Sequence, residues 1–198
     1  MKIAVINEFS AMARNPDILA ALKPTGYEVY NLGMDPSKKQ PELTYIHTGL
    51  MAAIVLNSGI CDMVVGGCGT GQGFMLSSMQ YPGVFTGLIE TPLDAWLFSQ
   101  INGGNCISLA LNKGYGWAAD LNVRLVFEQL FKDPAGQGYP AHRQESQKQS
   151  RNILAQISTL IHKPLLEAAS SLPEPYLREV LDFPDFKEYL KQTPWASM

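Results

Sequence analysis

The stretch Gly66-Gly67-Cys68-Gly69-Thr70-Gly71-Gln72-Gly73 holds the residues of this chain best suited to chemistry: a thiol and a hydroxyl two positions apart among alternating glycines. Glycines let a backbone approach a ligand closely. The segment that follows, Phe74 to Gln80, reads as a helix, and a helix start offers unpaired amides and partial positive charge. Helix N-termini favour thiolates, the reactive form of cysteine. Proton abstraction next to a carbonyl needs a base, plus donors for the oxyanion that develops, and this segment could supply both. The plain alternative is a tight strand-to-helix turn around a buried, inert cysteine. Two familiar glycine motifs do not fit. The dinucleotide fingerprint requires glycine at the first, third and sixth positions, whereas the sixth is Gln72 or Phe74 here. No Lys-Ser or Lys-Thr pair follows, which excludes a Walker loop.

Such a loop must be held by strands and helices, and the first two-thirds of the chain alternates between them. Lys2 to Asn7 reads as a strand; Asn15-Pro16, a cap followed by proline, opens a helix to Lys23; Tyr27 to Leu32 is a second strand. After a loop from Asp35 to Pro41, Glu42 to Leu56 reads as a helix and Asp62 to Val65 as a third strand. Val84 to Ile89 is a fourth strand, Thr91-Pro92 opens a helix to about Ile101, Cys106 to Leu111 is a fifth strand, and Trp117 to Phe131 is a helix. Nearly continuous apolar strands alternating with helices argue for a five-stranded parallel sheet covered on both faces. Ligands in such sheets bind at the carboxyl ends of the strands. The candidate loops are therefore Asn7-Glu8, Cys68 to Gly73, Glu90-Thr91 and Asn112-Lys113.

Beyond a Gly- and Pro-rich loop from Asp133 to Ala141 the pattern changes. Arg143 to Ile161 is amphipathic, and Leu172 to Met198 holds four prolines and short helical pieces around Tyr176 to Leu181 and Phe186 to Leu190. Residues 1–150 read as one α/β domain and 151–198 as a helical C-terminal extension that packs on the domain or on a partner subunit.

The composition is that of a folded globular chain: 46% hydrophobic and 17% charged over 198 residues. A net charge of -3 gives no reason to expect nucleic acid or an anionic membrane as partner. No apolar run approaches the ~20 residues of a membrane span, and Ile3-Ala4-Val5-Ile6 is too short for a signal peptide. Three cysteines without C-x-x-C spacing suggest reduced thiols in the cytoplasm. Cys61 and Cys106, inside apolar runs, read as core.

The run Gly67-Cys68-Gly69-Thr70-Gly71-Gln72-Gly73 closely resembles the active-site loop of the ribose-5-phosphate isomerase B family, which includes the subunits of galactose-6-phosphate isomerase. Tyr45-Ile46-His47 resembles its Tyr-Pro-His segment and Pro82-Gly83-Val84 its Pro-Gly-Ile-Arg turn. Asn102-Gly103-Gly104-Asn105 resembles its His-Asn-Asp-x-Asn run, and Gly136 to Arg143 its C-terminal Gly-Gly-Arg-His region. The resemblance covers roughly residues 1–150 in order. It implies a flavodoxin-like, Rossmann-like sheet and a homodimer or dimer of dimers with sites shared between subunits. It also implies aldose–ketose isomerisation of a sugar or sugar phosphate through an enediolate, with no metal or organic cofactor. By resemblance Cys68 is the base, Thr70 and the amides of Gly71 to Gly73 hold the enediolate oxygens, Gly69 is a further substrate-binding candidate, and Asn102 contacts the sugar across the dimer. His47, Asn7, Glu8, Lys113 and Arg143 join as substrate-binding candidates, with Arg14 a further candidate ligand for phosphate.

The chain also departs from the pattern. Asn7-Glu8-Phe9 stands where the family has Asp-His, and Ile101 where it has its ring-opening histidine. Phe85 or Thr86 replaces one arginine, and Asn112 or Lys113 another. Substrates that are open-chain, short or unphosphorylated fit these departures. A non-catalytic sugar- or anion-binding protein and a sugar epimerase stay open beside the isomerase.

Overall fold

The computed structural model describes residues 1–191 and 193–197; Met198, the end of the expected extension, lies outside the described residues. Five strands, β1 (Lys2–Asn7), β2 (Glu28–Asn31), β3 (Met63–Cys68), β4 (Thr86–Ile89) and β5 (Cys106–Ala110), form one all-parallel sheet in the order β2-β1-β3-β5-β4. The chain leaves β1 toward one side and returns on the other at β3, so the switch point lies between these strands. β5 inserts between β3 and β4, an exchange of the last two positions relative to the 2-1-3-4-5 order.

Strand alternation builds two cores. Ile3 and Val5 point to one face with Val65, Ile107 and Leu109, covered by α1 (Asn15–Leu22) and α5 (Ala119–Leu130). Ala4 and Ile6 point to the other with Val64 and Cys106, covered by α2 (Tyr45–Asn57) and α3 (Gln72–Ser78). α2 is buried on most sides, from Leu50 to Val55, which is why its sequence is apolar all round. Full burial of each Leu, Ile or Phe contributes roughly 1.5–3 kcal/mol.

Three local features differ from the sequence reading. The third strand runs on through Gly66 and Gly67 to Cys68 instead of ending at Val65. The reason is packing: a Cβ at Gly66 would sit 2.1 Å from the Phe74 ring, so the strand is bare where α3 lies on it. Asn15 lies inside α1, and its carboxamide pairs with Asn31 at 2.8 Å and 3.1 Å rather than capping the helix. The fourth helix, α4 (Pro92–Leu97), loosens into a π-helical turn, Phe98–Asn102. Thr91 caps α4 as expected, accepting from the Asp94 amide at 3.2 Å.

The extension is helical. α6 (Gln144–Ile161) leads into α7 (Leu165–Ala169), α8 (Glu174–Leu181) and α9 (Pro184–Leu190). Leu165, Val180, Phe183, Phe186 and Leu190 join the core cluster that includes α2, so the last three helices pack against their own chain. α6 differs: Ile153, Leu154, Ile157, Leu160 and Ile161 all stand exposed on it. Trp117 is fully exposed in the single chain, whereas Phe127 is buried.

Candidate active site

Cys68 is the last residue of β3, on the strand-end edge where the switch point opens. Its sulfur is 3.9 Å from the Thr70 hydroxyl oxygen, and only 6% of the residue is exposed. The loop leaving it is fixed by backbone bonds. The Gly71 amide donates to the Cys68 carbonyl at 3.3 Å, and the Leu111 amide donates to the same oxygen at 3.0 Å. The amides of Asn112 and Lys113 donate to the Gly69 carbonyl at 3.0 Å and 2.8 Å. Gly71 then turns the chain into α3 at φ +74°, a left-handed conformation that costs a side-chain-bearing residue energy. The Thr70 hydroxyl accepts from the Gln72 amide at 3.4 Å, while the amides of α3's first turn have no carbonyl behind them within the helix. The arrangement can present a thiol, a hydroxyl and backbone donors to one small ligand.

The loop after β1 meets this loop directly. In the β1–β3 ladder Asn7 lies opposite Gly67, so the extended residue that follows, Glu8, lies beside Cys68. Ser10 joins the two loops: its hydroxyl accepts from the Gly69 amide at 3.0 Å and donates to Glu8. The Asn112 carboxamide donates to the Ser10 carbonyl at 2.7 Å. Ser10 escaped the sequence reading; the one signal for it is a hydroxyl two residues beyond a strand-end carboxylate. Tyr45, at the start of α2, packs against Gly73, where a Cβ would approach its ring to 2.9 Å.

The other candidates divide. Asn7 is fully buried and belongs by alternation to the face away from Cys68; neither of its carboxamide atoms has a partner among the described residues. Lys113 lies at the same strand-end edge, with its ammonium on Glu90 at 2.6 Å. His47 sits at the start of α2, with Nδ1 3.0 Å from the Thr44 amide and Nε2 2.7 Å from Glu179 of α8. Its ring also lies 5.4 Å from that of Tyr176, so both nitrogens and one face are engaged by the chain itself. Arg14 lies 4.5 Å over the Tyr115 ring. Asn102 ends the π-helical turn that precedes β5, at the opposite edge of the sheet. Arg143 lies before α6, which is fastened to that same edge by Arg151 donating to the carbonyls of Ile101, at 2.9 Å, and Gly136. One chain therefore gathers Cys68, Gly69, Thr70, Gly71, Gly73 and Glu8, and leaves Asn102 and Arg143 apart.

A model of the family described as Ribose/Galactose Isomerase matches residues 3–127. The chain belongs to this family. Two solved structures resemble it over nearly the whole length. A 4-deoxy-L-threo-5-hexosulose-uronate ketol-isomerase complexed with a tartrate is 41% identical, with TM-score 0.92, covering 98% of this chain and 92% of that one. Ribose-5-phosphate isomerase LacAB_rpiB from Vibrio parahaemolyticus is 40% identical, with TM-score 0.93, covering 100% and 96%. Among curated proteins, the 4-deoxy-4-sulfo-D-erythrose isomerase of Clostridium sp. (strain MSTE9) is 25% identical over 118 residues, 59% of this chain and 69% of the relative.

This member of the ribose/galactose isomerase family is an isomerase, with the Rossmann-like parallel sheet that the sequence implied. The two solved structures span its extension as well as its sheet, whereas the family model stops before α6. Among the described residues no helix is long and apolar enough to cross a membrane.

Proposed function

We propose that this chain interconverts an open-chain acidic aldose and its ketose, with Cys68 as the base. The observation that carries the reading is the Cys68 thiol at the end of β3, 3.9 Å from the Thr70 hydroxyl and beside a left-handed glycine turn at the ligand-binding edge. The thiolate removes the proton from the hydroxyl-bearing carbon next to the carbonyl. The C–H pair becomes the enediolate double bond, and the carbonyl π pair moves onto oxygen. Thr70 and the amides leading into α3 stabilise that charge. Cys68 then returns the proton to the neighbouring carbon, and the second oxygen re-forms the carbonyl.

Two observations favour an acid without phosphate. The relative at 41% identity is named for a hexosulose-uronate and the curated relative for a sulfo sugar; the names of both imply acidic substrates. Ile101 stands where ring opening would want an imidazole, and the Lys113 ammonium is already held by Glu90. We further infer that two protomers share each site, the Asn102 and Arg143 edge of one completing the Cys68 edge of the other. The exposed apolar face of α6, beside that second edge, supports it.

Proton NMR in heavy water tests the reading on 4-deoxy-L-threo-5-hexosulose-uronate, ribose 5-phosphate and unphosphorylated ribose. Deuterium uptake and product from the uronate, both lost in Cys68→Ala, are expected. Turnover confined to ribose 5-phosphate would overturn the substrate class, and undiminished turnover by Cys68→Ala would overturn the base. Inversion at one carbon without carbonyl migration would make the enzyme an epimerase.

A further inference from the structure

Glu8 is a carboxylate in an expensive place. The residue is 7% exposed, and among the described residues no lysine, arginine or histidine pairs with it. Burying a carboxylate without a cation costs stability, and folds retain such groups where chemistry uses them. A structural role as helix cap does not account for it: Glu8 precedes the 3-10 segment Phe9–Arg14, yet its side chain makes no cap bond. Among the described residues its side chain has one bond, from Ser10. In that bond the Ser10 hydroxyl donates to the carboxylate while its oxygen accepts from the Gly69 amide.

Position adds to this. Ala4, Ile6, Val64 and Cys68 belong to one face of the sheet. Alternation puts Glu8, still in extended backbone at φ -87° and ψ 176°, on that face too. It stands one step past the Asn7–Gly67 pair and therefore next to Cys68 across a strand spacing of about 4.8 Å. Alternation thus puts a thiol and a carboxylate on the same face at neighbouring strand ends, and Ser10 bonds both Glu8 and the Gly69 amide that follows Cys68.

Resting on the isomerase reading above, we propose that Glu8 is a second catalytic residue, which carries the hydroxyl proton while Cys68 carries the carbon-bound one. Isomerisation moves two protons. Cys68 transfers one between the two carbons. The other must leave the hydroxyl of the first carbon and arrive on the former carbonyl oxygen. Glu8 accepts it as a carboxylate, becomes a carboxylic acid, and donates it to the enediolate oxygen of the adjacent carbon. It ends as it began, so no co-reactant is required.

The two proton paths are separable in heavy water. With 4-deoxy-L-threo-5-hexosulose-uronate as probe, the nearly isosteric Glu8→Gln still allows Cys68 to form the enediolate and return a deuteron to the same carbon. Product formation is expected to fall about 10²-fold or more. Exchange into unreacted substrate falls much less, so the exchange-to-product ratio rises at least about tenfold. Glu8→Asp restores part of the product rate. Ser10→Ala, which leaves the carboxylate in place, shifts the ratio in the same direction by a smaller factor and keeps the test open should Glu8→Gln misfold. Parallel loss of exchange and product in Glu8→Gln, or no loss of either, would overturn the role of Glu8 while leaving the isomerase reading intact. A wild type inert toward the probe and toward ribose 5-phosphate would overturn both.

Discussion

Cys68 and Cys106 lie on adjacent strands of one sheet, the first paired with Ala110 and the second with Val64. Cys106 opens β5 at the closed end of the sheet, is fully buried, and sits within reach of the Thr86 and Ser78 hydroxyls, which bond each other at 2.8 Å. Burial pushes its thiol up to about 12, and the two hydroxyls offset little of that. Cys68 closes β3 at the open end, where the strand gives way to a glycine turn and a short helix. Residue type is the same, depth in the core is nearly the same, and the strand terminus decides which thiol can meet a substrate. In a parallel sheet all the carboxyl ends fall on one edge, so chemistry collects there while the other edge is free to be a floor or an interface.

The contrast can be broken in four places. Cys68→Ala should lower deuterium exchange and turnover by on the order of 10³-fold, while Cys106→Ala leaves both nearly unchanged and costs about 1 kcal/mol in urea unfolding. Equal loss of activity in the two variants would erase the distinction. Phe186→Ala removes a fully buried ring from the extension. It should cost roughly 3 kcal/mol of stability with kcat per folded molecule retained; loss of kcat without loss of stability would assign the extension to the site. Thr70→Val keeps the shape beside Cys68 and removes the hydroxyl, and is expected to cost about 10²-fold in kcat with little change in melting temperature. The last test is in alkali. The folded Cys106 thiol ionises near 12, above its ordinary 9.0, so its stabilisation is intact below pH 9 and is lost between there and pH 12. The slope approaches about 1.4 kcal/mol per pH unit. Cys61 and several half-buried tyrosines shift in the same direction, so the measurement is the difference in stability between wild type and Cys106→Ala across that range.

Much of the fold was legible because period and punctuation agreed. β1 runs from Lys2 to Asn7 as the apolar run indicated, and Thr91-Pro92 opens α4 with its cap. The misses share a cause, which is that contacts distant in sequence overrule local preference. Glycines at 66 and 67 read as loop, yet Phe74 and the backbone of β5 make them strand. The place of β5 between β3 and β4 has no local signal, and neither does the 3-10 segment Phe9–Arg14. At the site, the Cys68–Thr70 spacing was visible in the sequence, whereas Ser10 became visible only once β1 and β3 stood side by side. His47 shows the converse: its type suggested a ligand, and the fold engages it through Thr44 and a glutamate 132 residues away.

Gly66 and Phe74 share one volume, the ring occupying the space that a side chain on the strand would need. Neither position can therefore drift alone. Any residue larger than glycine at 66 must displace the ring, and any residue smaller than phenylalanine at 74 leaves a void behind the thiol-bearing loop. Sequences descending from this one are expected to change the two positions together or not at all, and a saturation library scored for folding should recover exchanges at 66 only where 74 has shrunk in the same clone.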